Sequence, residues 1–417
     1  MHCYMISYEI ILGHSYRDFT YSNQLYLAMN QKIFQILLMW IALLTGPLIP
    51  QTSYSMNTKD EFLMKRPYGT TPKGERVEEV TLINSFGMKV KYIDYACTIT
   101  QINVLDKKGN FQNIVLNLPD LESHIKTNKR FAAIMGRYAG RIKGGHYTLN
   151  GVFHPLPTNP NGAALHGDPN GFDRRVWSRT DFIKKHSMGS IFSLMSPDGD
   201  QGHPGNVQVS VTYELMKNKN EFRISYHATT DQPTVMTLTN HAYFNLAGAG
   251  HHGLSGHLFQ IDADHFVDTD SKKLPTGRIL SVSETPLDLR KPIDVTPYLK
   301  SPSEIMGDPP GYDHTMVLSK YDGKLRKVAQ VHELESGRIM SIKTTEPAIQ
   351  FNTGNGFDKS ELGGEGIAYD KFDGFAMETF HFPDSPNHPD FPSTVVTPEK
   401  PFDSRTVFTF DVIGDKK

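Results

Sequence analysis

The sequence predicts an all-β protein built as a large antiparallel β-sandwich, and three observations carry that expectation. Apolar and polar residues alternate with period two, Gly-, Asn- and Asp-rich breaks separate the alternating runs, and beyond residue 57 helical periodicity is confined to short pieces such as Pro297–Lys300. Residues 207–215, VQVSVTYEL, put Val207, Val209, Val211, Tyr213 and Leu215 on one face and Gln208, Ser210, Thr212 and Glu214 on the other. That is the pattern of a half-buried antiparallel strand. The polar turn Lys217–Asn220 follows, and Phe222, Ile224, Tyr226 and Ala228 then alternate with Arg223, Ser225 and His227, so the two runs should form a hairpin. Similar runs lie at 80–105, 338–352 and 406–412. Two Pro-rich passages, 301–310 and 383–401, have strand-like segments on both sides and read as long loops covering sheet edges, not as domain linkers.

The first residues have a different character. Ile33–Leu44, IFQILLMWIALL, is an apolar run preceded by Lys32 and followed by Thr45-Gly46-Pro47 and a polar tail ending in Ser53-Tyr54-Ser55. A basic start, a short apolar core and a small-x-small exit describe a secretory signal peptide. The expected organisation is therefore a non-native upstream extension over 1–28, a signal peptide over 29–55 starting at Met29, and a single catalytic domain over 57–417. The expected location is periplasmic or extracellular, with no stable membrane association after cleavage.

Composition narrows the function classes. At 417 residues the chain is long enough for a large core, and its net charge of -2 gives no reason to expect nucleic acid as a partner. Cys3 and Cys97 are the two cysteines, too few for a disulfide framework or a thiolate metal cage, and Cys97 reads as a small buried hydrophobe. His251, His252 and His257 cluster in a Gly-rich stretch without acidic or sulfur partners at ligand spacing, and read as a solvated loop.

Six short segments carry the chemistry. Glu378-Thr379-Phe380-His381-Phe382-Pro383-Asp384-Ser385-Pro386-Asn387 sets a lone carboxylate beside a rigid Pro-rich turn. Thr239-Asn240-His241-Ala242-Tyr243-Phe244-Asn245-Leu246 carries a histidine, whose ordinary pKa of about 6.5 suits proton exchange near neutrality. Gly136-Arg137-Tyr138-Ala139-Gly140-Arg141-Ile142, Leu165-His166-Gly167-Asp168, Gly311-Tyr312-Asp313-His314 and Glu346–Asn355 complete the set. Taken in chain order, five of the segments resemble the GRxANRI, LHGG, TNHxYFNL, GxDH and YTGN patterns of the aldose 1-epimerases (mutarotases), and the Glu378 segment resembles the signature around that family's general base. The resemblance spans roughly residues 75–412. Two positions depart from it: Gly140 stands where the family has asparagine, removing or moving a polar contact, and Asp168 replaces the final glycine of LHGG, bringing a Cβ and a charge into the turn.

The resemblance implies a large twisted β-sandwich of the galactose mutarotase type and an enzyme that interconverts the α and β anomers of free hexoses such as galactose and glucose. It implies His241 as general acid, Glu378 as general base, and Arg141, His166, Asp313 and Gln350 as sugar contacts, with no metal and no cofactor. One base and one acid suffice for that chemistry, each contributing roughly 10²–10⁴-fold. The expected partner is a small sugar, and the expected assembly a monomer or dimer. Two alternatives share the fold. A hexose-6-phosphate epimerase would need basic residues for the phosphate, and Arg137, Arg174 and Arg175 are candidates. A non-catalytic sugar-binding module would have lost the acid or the base, yet His241 and Glu378 are both present.

Overall fold

The computed structural model describes residues 62–414. The regions expected to be an upstream extension and a signal peptide lie outside the described residues. Within them the chain is almost entirely β-structure, arranged mainly in antiparallel sheets of nine, six and five strands.

The nine-stranded sheet contains the expected hairpin. Val207–Met216 pairs with Glu221–Thr230 in the register Val209↔Ala228, Val211↔Tyr226, Tyr213↔Ile224 and Leu215↔Phe222, and all eight of these side chains are buried. Directly opposed residues of an antiparallel pair share a face, so the two alternating patterns in the sequence combine into one apolar surface. The sheet continues through Phe402–Val412, Arg338–Thr344, Arg326–Glu333 and His257–Ile261. The six-stranded sheet runs in the order Tyr243–Phe244, Phe375–Phe380, Ala348–Asn352, Asp313–Leu318, Ala263–Thr269 and Pro275–Ser281.

One core joins the three sheets. Phe375, Met377, Ile349, Phe351 and Met316 from the six-stranded sheet pack in the same cluster as Val211, Phe222 and Phe408 from the nine-stranded sheet, and as Val80, Tyr92 and Ile102 from the five-stranded one. The six-stranded sheet therefore turns one set of alternate residues into the sandwich. The other set is Glu378 and Ala376, Gln350 and Asn352, Thr315 and Asp313, paired across the strands as Gln350↔Glu378, Thr315↔Gln350 and Asp313↔Asn352. Four of these six bear a carboxyl or carboxamide group, and this is the face that positions the site.

Most local expectations match the structure. The 80–105 region resolves into Arg76–Ile83, Lys89–Ile93 and Ile99–Leu105, Pro297–Lys300 coincides with a 3₁₀ turn at Tyr298–Lys300, and Cys97 is fully buried, which pushes its thiol pKa up. An α-helix at Leu121–Lys126 has no counterpart among the sequence expectations; it is capped by Asp120, which accepts the Ser123 amide at 2.8 Å. Six residues are too few for a recognisable amphipathic period. His257 corrects the solvated-loop reading: it is fully buried at the start of a strand, with Nε2 accepting the Leu246 amide at 3.0 Å. Among the described residues no helix is long and apolar enough to cross a membrane.

Candidate active site

Glu378 lies in the middle of Phe375–Phe380 and is almost fully buried, at 3 % exposure. Its Oε1 stands 3.4 Å from His241 Nε2. His241 sits between two short strands, with its backbone clamped in both directions: its amide donates to Ala133 O and its carbonyl accepts from Ala132, each at 2.9 Å. Glu378 Oε2 and His241 Nδ1 are buried without a hydrogen-bond partner. Unpaired buried polar atoms are costly, and one on each of two residues in contact calls for a functional explanation.

Next to this pair, Asp313 accepts from Gln350 Nε2 at 2.7 Å and from Asn352 Nδ2 at 3.1 Å, and pairs with Arg141 Nη2 at 3.1 Å. Arg141 is delivered by Arg141–Lys143, which pairs with Ala163–Leu165 so that Leu165 lies opposite Arg141. The turn after Glu378 completes the support: the Asp384 amide donates to Arg141 O at 2.7 Å, and Asp384 Oδ1 accepts the Lys143 amide at 3.1 Å. The Pro-rich end of the signature segment thus anchors the arginine that pairs with Asp313.

His166 enters from the turn following Ala163–Leu165. Its Nδ1 accepts the Gly140 amide at 3.1 Å, so the neutral ring carries its proton on Nε2, and its own amide donates back to Gly140 O at 3.1 Å. The His166 ring meets that of His241 edge to face, with centroids 5.6 Å apart. All six predicted site residues are brought together in this way.

The two departures from the family pattern now have local explanations. Gly140 has φ +86°, and a Cβ there would come within 2.9 Å of the Phe380 ring, so the position works through its backbone amide. In the turn carrying Asp168, the left-handed conformations fall on His166 (φ +56°) and Gly167 (φ +86°). The expected backbone conflict at Asp168 is therefore absent, and its carboxylate pairs with Arg130. Arg130 gave no sequence signal. Asn352 is another residue passed over; it lies two positions from Gln350 on the same strand face, so period-two reasoning had access to it.

Burial and neighbouring charge set the protonation states. Desolvation, helped by the charge of Asp313, pushes the Glu378 carboxyl up to about 8. Desolvation, with Arg130 adding to it, lowers His241 to about 3, and desolvation also holds His166 well below its ordinary value. At Asp313 burial pushes upward, but the Arg141 charge and the Asn352 and Gln350 amides outweigh it and hold the carboxyl down to about 2. At neutral pH the site thus keeps one proton on the Glu378–His241 pair and one fixed carboxylate beside it.

His166, His241 and Glu378 each offer a donor atom within 4.8 Å of the others, a two-histidine, one-carboxylate set that catalytic zinc sites use. The Arg130 charge bears on both histidines, while at His241 the Asp313 carboxylate acts in the opposite sense and more strongly than Arg141.

The sequence profile of the aldose 1-epimerase family matches residues 78–409. The chain belongs to the aldose 1-epimerase family. It is 38% identical to the galactose mutarotase of Bos taurus over 345 residues, covering 83% of this chain and 97% of the relative. It is 33% identical to the aldose 1-epimerase of Escherichia coli over 347 residues, covering 81% and 96%. Among solved structures, an aldose epimerase homologue from C. elegans superposes with a TM-score of 0.73 at 28% identity, covering 80% of this chain and 98% of that one. As in the rest of the aldose 1-epimerase family, the assignment is to an isomerase-class enzyme with the mutarotase sandwich fold.

The arginines expected to serve a phosphate are committed elsewhere. Arg137 is fully buried and donates to Ser196 Oγ at 2.7 Å and to Pro204 O at 2.7 Å. Arg174 donates to Ile125 O and Thr127 O, while Arg175 binds Asn170 O and Asp200.

Proposed function

We propose that this protein is an aldose 1-epimerase acting on free hexoses such as galactose and glucose, with Glu378 and His241 as its proton-transfer pair. The observation that carries the reading is the buried Glu378–His241 contact at 3.4 Å, with one unpartnered atom on each residue, beside Asp313, Gln350 and Arg141. In the reacting state Glu378 is ionised and His241 protonated, with the same total of one proton shared by the pair. Glu378 takes the proton of the anomeric hydroxyl as His241 protonates the ring oxygen. The bond between the anomeric carbon and the ring oxygen breaks, the aldehyde forms, and rotation about the neighbouring carbon–carbon bond precedes closure to the other anomer. Closure returns both protons, so the enzyme ends the cycle unchanged. Asp313, Gln350, Arg141 and His166 supply the acceptors and donors that orient the sugar hydroxyls.

The deciding experiment is polarimetry of freshly dissolved α-galactose and α-glucose with residues 57–417 and with Glu378→Gln. Catalysed decay in the parent that disappears in the variant supports the reading; unaccelerated decay with folded parent protein refutes it. We also propose that residues 29–55 direct export. N-terminal sequencing of the secreted chain should then find a start near residue 56, and a mature chain that retains residues 33–44 would overturn this.

A further inference from the structure

Arg130 stands between the two segments that deliver the site's histidines. Its guanidinium pairs with Asp168, in the turn that carries His166. Its backbone leads directly into Ala132 and Ala133, which hydrogen-bond His241 on both sides. Phe131, the residue between, packs against Tyr243 at 5.9 Å and stacks on Phe357 at 5.4 Å, so the segment is held from the far side as well. Arg130 itself has φ +58°, an uncommon conformation for a long side chain and one that tends to persist where surrounding contacts enforce it.

Its charge is only partly engaged. Nη1 donates to Asn128 O at 3.2 Å, Nε lies 3.9 Å from Asp173 Oδ2, and Nε is buried with no hydrogen-bond partner. The other ionisable groups around it are Asp173, which Arg174 approaches to 3.5 Å, the buried His124, and the cluster of His166, His241 and Glu378. Asp168 occupies the place of a glycine in the family pattern, so the clamp that holds Arg130 depends on a residue the pattern lacks.

We propose that Arg130, clamped by Asp168, is a positioning residue for epimerisation: it ties the His166 turn to the segment that holds His241 and fixes a positive charge beside the proton-transfer pair. The charge favours an ionised Glu378 and opposes a second proton on the histidines, as the direction of its effect on each of these groups shows.

The inference rests on the epimerase reading, and the test separates the two. Steady-state polarimetry across pH is run on the full parent chain, Arg130→Gln, Arg130→Lys and Asp168→Asn, with Glu378→Gln as control, and NMR follows the histidine ring titrations. Arg130→Gln should lower kcat about tenfold with KM changed less than threefold, and should raise the alkaline limb of the profile by about one pH unit, the size expected of a charge acting through partly dry protein. Arg130→Lys should restore the limb, and Asp168→Asn should lower kcat without adding to the Arg130→Gln effect when the two are combined. Asp168 is a third exposed, so its variant keeps the test open should the Arg130 variants fail to fold. Parent-like kcat and limb in Arg130→Gln and Asp168→Asn, with Glu378→Gln inactive, would overturn the inference and leave the epimerase reading standing. An inactive parent would remove both.

Discussion

The nine-stranded and six-stranded sheets share one core but use their strands differently. In the nine-stranded sheet the alternation separates apolar from solvated residues: Val209, Val211, Tyr213 and Leu215 are fully buried, while Gln208 is exposed. In the six-stranded sheet the face turned away from that core is also covered, and it buries Glu378 and Gln350 with Asp313 close by. Burying an apolar row is favourable at about 25 cal/mol per Å², whereas burying carboxyl and amide groups costs free energy unless they are paired. The first sheet therefore supplies stability, and the second carries a cost that makes sense only in terms of chemistry.

The largest expected effect tests that contrast at Glu378. Glu378→Gln should cut kcat by about 10³-fold or more, within the range of general-base catalysis, yet raise the melting temperature at pH 8. The sign follows from the raised pKa of about 8 against an ordinary 4.5. Below pH 4.5 the carboxyl is protonated in the folded and unfolded chains alike. As pH rises toward 8 the unfolded chain releases the proton that the folded chain keeps, so stability falls by up to about 1.4 kcal/mol per pH unit. Glutamine removes that loss. An unchanged or lower melting temperature at pH 8 would mean that Glu378 is not paying a desolvation cost.

Phe222→Ala, on the apolar face of the nine-stranded sheet, should do the converse. It should destabilise the fold by about 3–5 kcal/mol while the folded fraction keeps its kcat. Denaturant melts paired with polarimetry measure both quantities. A comparable loss of kcat would show that the two sheets are not separable in this way.

Asp313→Asn removes the fixed carboxylate while keeping the shape. It should lower kcat/KM by about 10–100-fold, mainly through KM, because Arg141, Gln350 and Asn352 lose the charge that organises them. Across pH, kcat/KM in the parent should fall about tenfold per unit above pH 8, where the pair loses its one proton. Prolonged dialysis against EDTA should change kcat by less than about twofold, because the proposed acid–base pair moves both protons without a metal at the His166, His241 and Glu378 cluster. A metal-dependent loss restored by zinc would reassign that trio.

Legibility differed along the same divide. Strand faces in the nine-stranded sheet were readable because solvent on one side imposes period two, and Val207–Leu215 shows it without interruption. Phe375–Phe380 is buried on both faces, so its alternation carries no such contrast, and Glu378 was recognisable only through the segment that follows it. The short helix Leu121–Lys126 and the burial of His257 escaped because six residues and a lone histidine contain no period. Arg130 escaped for another reason: its partner Asp168 lies in a separate segment, and nothing local links the two.

The sequence by itself determined which residues alternate, where the turns fall, and which histidines, carboxylates and arginine stand in family-like segments. These are local properties, written in the order of side chains along a few residues of backbone. The tertiary structure alone decided that His241 approaches Glu378 to 3.4 Å, that Asp384 anchors Arg141, and that Asp168 is accommodated by Arg130 rather than by the backbone. It also decided the protonation of the pair, since the exclusion of water from Glu378 and His241 belongs to the packed sandwich and to no single segment of it.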